Sequence, residues 1–102
     1  MKYNTLGNNG PKVSNICLGT WPIGGGMGKI EQKDAINAIH ASIDNGVNFL
    51  DTAQMYLDSE NILGKALKGK RKNLVLASKL SSWRNTLDIE KALSAVSYTH
   101  LR

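Results

Sequence analysis

Three side chains in the middle of the sequence could together move a proton: Asp51, Tyr56 and Lys79. A tyrosine is a weak acid near neutrality, with an ordinary pKa of about 10. A neighbouring ammonium stabilises the phenolate and makes the phenol a better proton donor. A lysine drawn partly out of water in turn needs a carboxylate beside it to stay charged. An Asp, a Tyr and a Lys in contact could therefore hand a proton to a carbonyl oxygen or an alkoxide. The same residues also permit a plainer arrangement, in which Asp51 and Lys79 form a structural ion pair and Tyr56 covers it.

The elements that must position them are legible from pattern. Residues 2–13 read as a β-hairpin around Gly7-Asn8-Asn9-Gly10, since Asn-Gly is a tight-turn signal. Ile16-Cys17-Leu18 reads as a short buried strand running into Gly19-Thr20-Trp21-Pro22. An amphipathic helix is expected over 31–45, with Ile36, Ile39 and Ile43 at helical spacing and Gly46 as its stop. Val47–Leu50 is the next strand and delivers Asp51. A short helix follows, capped by Asp58 or Ser59, with Glu60 near its positive end and Ile62, Leu63, Ala66 and Leu67 on its inner face. Residues 73–78 are expected as a third strand buried on both faces, delivering Lys79, and Asp88 begins a third helix. Strand-helix units in series build a parallel sheet, and such sheets carry their sites at the carboxyl ends of the strands. Here those ends are Gly19-Thr20, Asp51-Thr52 and Ser78-Lys79.

Composition narrows the function classes. The chain has 102 residues and a net charge of +5, enough for one small domain with a modest core. Much of the positive excess lies in Lys65, Lys68, Lys70, Arg71 and Lys72. It reads as a helix end and a solvated loop, because no aromatic residues are interleaved for base stacking. No nucleic-acid partner is expected. No apolar run approaches the ~20 residues of a membrane span, and the first residues lack the apolar core of a secretory signal. Cys17 is the only cysteine, so no internal disulfide can form and a reducing, cytoplasmic setting is expected. His40 lies beside the apolar stripe of the first helix; no second ligand is spaced to join it, and no metal is expected. The loop Gly24-Gly25-Gly26-Met27-Gly28-Lys29 fits neither phosphate-binding pattern: the P-loop would need Gly at Ile23, and the dinucleotide motif would need Gly at Lys29. It reads as a flexible loop that lets something approach its backbone closely.

The run Asn48-Phe49-Leu50-Asp51-Thr52-Ala53, then Tyr56, then Ser59 to Leu67, resembles the signature of the aldo-keto reductases. Leu18-Gly19-Thr20-Trp21 with the glycine loop resembles that family's first strand and loop, and Ala77-Ser78-Lys79 its third strand. The resemblance covers residues 2 to about 95. It implies the first part of a (β/α)8 TIM barrel: an amino-terminal hairpin that plugs the bottom, then about three βα units. It further implies NADPH-dependent reduction of an aldehyde or ketone. Tyr56 is then the general acid, Lys79 the residue that stabilises its anion, and Asp51 the holder of the lysine. Gly19, Thr20 and Trp21 match the loop bordering the nicotinamide, and Asp51 lies near its ribose. Trp21 and Trp83 match positions that wall the substrate pocket, with ordinary packing the equal alternative for each.

Two departures from the family pattern stand out. Leu57 occupies a position where the family usually carries Gly, and a whole barrel takes about 250 residues. The family's histidine, at the end of the fourth strand, and most of its cofactor contacts fall beyond this sequence. Val96 to Arg102 resembles the translation of a sequencing-library adapter, which implies a native unit over 1–95 and a non-native tail over 96–102. The chain alone is then expected to be unstable and inactive. The alternative function is a non-catalytic binding or accessory subunit on the same fold.

Overall fold

A computed structural model of the chain describes residues 1–80. The third helix expected from Asp88, Trp83 and the tail over 96–102 all lie outside the described residues. The element order is a hairpin, then three parallel strands separated by two helices.

Strands β1 (Tyr3–Thr5) and β2 (Lys12–Ser14) pair antiparallel, with Tyr3 opposite Ser14 and Thr5 opposite Lys12. The hairpin is fastened to the body by polar groups. The Ser14 amide donates to Asn48 Oδ1 at 2.6 Å, Asn48 Nδ2 donates to the Lys12 carbonyl at 3.0 Å, and the Tyr3 hydroxyl donates to the Gly46 carbonyl at 2.7 Å. These contacts fall just before Phe49, where the next strand but one begins, so the hairpin covers the amino end of the sheet and leaves the carboxyl end open.

Strands β3 (Leu18–Gly19), β4 (Phe49–Asp51) and β5 (Val75–Ala77) form a parallel sheet in the order β3-β4-β5. Leu18 pairs with Leu50 and Gly19 with Asp51; Asp51 also pairs with Ala77. The expected strand at 16–18 is displaced. Ile16 is exposed and its carbonyl accepts a hydrogen bond from Ser14 Oγ, which turns the chain there, so pairing starts only at Leu18. The expected burial of the third strand on both faces does not occur either: Val75, Leu76 and Ala77 are all half-buried. β5 has one partner strand in the described sheet, and only one side of that sheet is covered by helices.

Helix α1 (Gln32–Asp44) turns Ala35 and Ile39 into the core and ends at Asn45, followed by Gly46 at φ +96°. That left-handed turn is strained for any residue with a Cβ. Helix α2 (Ser59–Ala66) contributes Ile62, Leu63 and Ala66. One cluster, including Ile39, Leu50, Leu63, Leu67 and Leu74, fills the space between the helices and the sheet. His40 joins the helices: its Nε2 donates to the Ala66 carbonyl at 2.7 Å. A carbonyl only accepts, so that nitrogen carries the proton. His40 therefore has a packing role.

Alternation along the strands sorts the sheet into two faces. Thr20, Leu50 and Thr52 point toward the helices and are at most 1% exposed. Gly19, Phe49, Asp51, Val75 and Ala77 lie on the opposite face and are exposed or half-buried. No described element packs over that second face.

Candidate functional site

The carboxyl ends of β4 and β5 bring Asp51 and Lys79 together. Lys79 Nζ donates to Asp51 Oδ1 at 2.7 Å, to Asp51 Oδ2 at 2.8 Å and to the Thr52 carbonyl at 2.9 Å. An ammonium has three hydrogens to donate, and three acceptors surround this one. The pair is open to water, with side-chain exposures of 52% for Lys79 and 34% for Asp51. Exposed pairs of this kind contribute about 0–1 kcal/mol to stability. The main consequence of the contact is thus a fixed position for the charge. Burial pushes the Lys79 ammonium toward deprotonation, but the Asp51 hydrogen bond and charge outweigh it, with smaller help from Tyr56. The net effect raises its pKa above the ordinary 10.5.

Tyr56 completes the cluster. Lys79 Nζ lies 5.1 Å from the centre of the Tyr56 ring, within cation–π range. The edge of Trp21 meets the same ring, with centroids 5.4 Å apart and planes at 65°. Asp51, Tyr56, Lys79 and Trp21 therefore form one group at the open mouth of the sheet. Cys17 belongs to the same face. Burial and the Asp51 carboxylate push its thiol pKa up while Lys79 pulls it down, for a net rise.

The loop carrying Tyr56 is anchored from below by buried hydroxyls. Ser59 Oγ donates to Thr20 Oγ1 at 2.7 Å, and Thr20 Oγ1 donates to the Asp51 carbonyl at 2.9 Å. Ser59 has one hydroxyl hydrogen, already given to Thr20, so Thr52 is the donor in the 3.0 Å contact between Thr52 and Ser59. The result is a directed chain, Thr52 to Ser59 to Thr20 to the β4 backbone, among residues at most 1% exposed. Sequence pattern offered Ser59 only as a possible cap, but Asp58 takes that position and Ser59 serves as a buried tie. The one local signal was a pair of threonines just beyond strand ends and a serine opening a helix, and nothing in that pattern shows that the three meet. Pattern also missed the Ser78 hydroxyl donating to the carboxylate of buried Glu60 at 2.7 Å.

The glycine loop does allow close approach, and the approaching groups belong to the chain itself. A Cβ on Gly24 would stand 2.1 Å from the Tyr56 carbonyl oxygen, and one on Gly26 would stand 2.1 Å from the Trp21 ring. Immediately after Tyr56, Leu57 has φ +50°, the one non-glycine left-handed residue among those described. That conformation costs a side-chain-bearing residue about 1–2 kcal/mol.

The sequence model of the aldo/keto reductase family matches residues 15–99. The chain belongs to the aldo/keto reductase family. It is 43% identical over 91 residues to aldo-keto reductase YhdN of Bacillus subtilis, covering 83% of this chain and 28% of that protein. It is 32% identical over 99 residues to a probable voltage-gated potassium channel subunit beta of Arabidopsis thaliana, covering 92% of this chain and 29% of that one. Among solved structures, a thermostable aldo-keto reductase, Tm1743, crystallised with the inhibitor epalrestat, superposes with a TM-score of 0.79 at 28% identity. That match covers 97% of this chain and 38% of the other. The chain thus spans under a third of the length of these two curated relatives. The hairpin and parallel sheet are the opening portion of the aldo/keto reductase (β/α)8 barrel, and the uncovered sheet face is the one that lines such a barrel's interior.

Within this family frame the expected site residues divide. Gly19 presents bare backbone on the Asp51 side, and nothing lies within 4 Å of where its Cβ would be. Trp21 keeps 38% of its surface exposed beside Tyr56. Gly19, Trp21 and Asp51 therefore leave open surface at the mouth. Thr20 is different: its side chain is buried on the helix side with its hydroxyl engaged, and its amide donates to the Asp51 carbonyl at 3.0 Å while its carbonyl accepts from the Gly24 amide at 3.2 Å.

Proposed function

We propose that this chain carries the proton-transfer residues of an aldo/keto reductase that converts an aldehyde or ketone to an alcohol with NADPH, Tyr56 being the general acid. The observation that carries this reading is the Lys79 ammonium, held on three acceptors beside the Tyr56 ring. The nicotinamide cofactor, when bound, would supply a hydride, a proton carrying two electrons, to the carbonyl carbon. Tyr56 gives its hydroxyl proton to the carbonyl oxygen as charge develops there. The phenolate left behind faces the Lys79 cation, and Asp51 keeps that cation in place and protonated. Gly19, Trp21 and Asp51 form the wall available to the nicotinamide and ribose. Trp21, together with Trp83, is assigned to the substrate pocket. The choice of NADPH over NADH and a cytoplasmic location rest on the family resemblance and on a single cysteine with no possible partner in the chain.

In the full-length protein carrying these residues, Tyr56→Phe should lower kcat for aldehyde reduction by about 10²–10⁴-fold. NADPH affinity, read by quenching of protein fluorescence, should stay within a few-fold. Unchanged turnover in that variant removes Tyr56 from the role. The 32% identity to a potassium channel beta subunit favours a second reading, an accessory subunit built on the same barrel. Intact Asp51, Tyr56 and Lys79 favour the enzyme, and NADPH binding without turnover of any carbonyl compound would favour the subunit.

A further inference from the structure

Leu57 combines three features that packing does not explain. Its backbone is left-handed at φ +50°. That backbone is fixed from both sides: the Tyr56 amide donates to the Ala53 carbonyl at 3.0 Å, and the Ser59 amide donates to the Tyr56 carbonyl at 2.9 Å. Its side chain nevertheless remains 64% exposed, so the fold gains little apolar burial in return for the strain. Strain retained without a packing return is found at sites where the strained residue meets a ligand. The position fits that account. Leu57 directly follows the proposed proton donor, and its Cδ1 lies 4.0 Å from where a Gly25 Cβ would stand. Gly26 of the same loop lies against the Trp21 ring, and that ring borders Tyr56. Leu57, the glycine loop and Trp21 thus form a continuous apolar strip that ends against the Tyr56 ring.

We propose that Leu57 is a specificity-determining residue that contacts the substrate beyond its carbonyl group and selects carbonyl compounds with an extended alkyl or aryl branch. The proposal deepens the reductase reading and rests on it. Each substrate methylene that Leu57 shields from water should raise kcat/KM about fourfold. Two or more such groups separate a long substrate from a short one.

The test uses the full-length protein carrying these residues, with linear aldehydes from propanal to octanal and NADPH oxidation as the readout. In the unsubstituted protein kcat/KM should climb along the series. In Leu57→Gly the octanal-to-propanal ratio should fall fivefold or more, chiefly through KM, while the melting temperature holds or rises because the left-handed strain is relieved. Leu57→Asn, which tolerates the left-handed backbone but is polar, should show the same fall in ratio and provides an independent measurement should the glycine variant not fold. A ratio unchanged in a folded variant that still turns over overturns the role of Leu57 and leaves the reductase reading standing. Absence of turnover with every aldehyde in the unsubstituted protein overturns the reductase reading, and this proposal with it.

Discussion

At the scale of single residues, the proposed chemistry depends on keeping one lysine charged and in place. Its raised pKa fixes the sign of the pH dependence. A cation whose folded pKa exceeds its unfolded value contributes stability below the unfolded value, here 10.5, and loses it as pH rises through the folded value. The Asp51–Lys79 pair should therefore add the same small increment from pH 6 to 10 and fade only above that. Thermal melts of Lys79→Met against the unsubstituted protein at pH 8 and pH 11 should show the difference shrinking at the higher pH. Activity should respond far more strongly than stability. Asp51→Asn removes the countercharge and lets the ammonium wander, so kcat should fall at least tenfold while the melting temperature moves by a few degrees at most. Asp51, Tyr56 and Lys79 were legible because their types are chemically complementary and two of them end adjacent parallel strands. Leu57 was visible as a departure, but its left-handed backbone was not, since a dihedral angle is set by the surrounding loop.

At the scale of elements, the two described helices and the parallel strands were legible through their apolar residues and the hairpin through its Asn-Gly turn, while what depends on contacts between elements was misplaced. Helix α1 falls one residue inside its expected bounds at each end, because Gly46 and the Ile36, Ile39 and Ile43 spacing are local signals. Strand β3 forms one to two residues later than the apolar run 16–18 implies, since Ile16 and Cys17 look apolar while only Leu18 and Gly19 find partners. The polar tie through Thr52, Ser59 and Thr20 could not be seen, because it joins residues 39 apart in the chain. Ser59→Ala should strand the buried Thr52 hydroxyl and take away the donor to Thr20, at a cost of about 1–3 kcal/mol, measurable by urea unfolding of the full-length protein. Gly24→Ala should be worse for function, since its Cβ would meet the Tyr56 carbonyl oxygen at 2.1 Å, a backbone atom that cannot rotate away. That variant should lose turnover through a displaced Tyr56 while retaining most of its helical circular dichroism.

At the scale of the molecule, the two sides of the sheet are unequally finished. The helix side holds Leu50 and Leu63 with no measurable exposure. The other side shows Phe49 and Val75 half-buried, with nothing described above them. An apolar face left open in this way invites association, and β5, with one partner among the described strands, offers an edge for pairing with other chains. A polypeptide of these 102 residues made alone should bind a hydrophobic dye such as ANS, unfold without a sharp transition and show negligible turnover. A soluble monomer with a cooperative melt would contradict this. Among the described residues no helix is long and apolar enough to cross a membrane.

The acid–lysine pair spans only 28 positions of sequence and joins neighbouring strands. A slip of one residue between β4 and β5 would turn the Asp51 carboxylate to the helix side and break the pair. The charge pair therefore reports that these two strands have found their register.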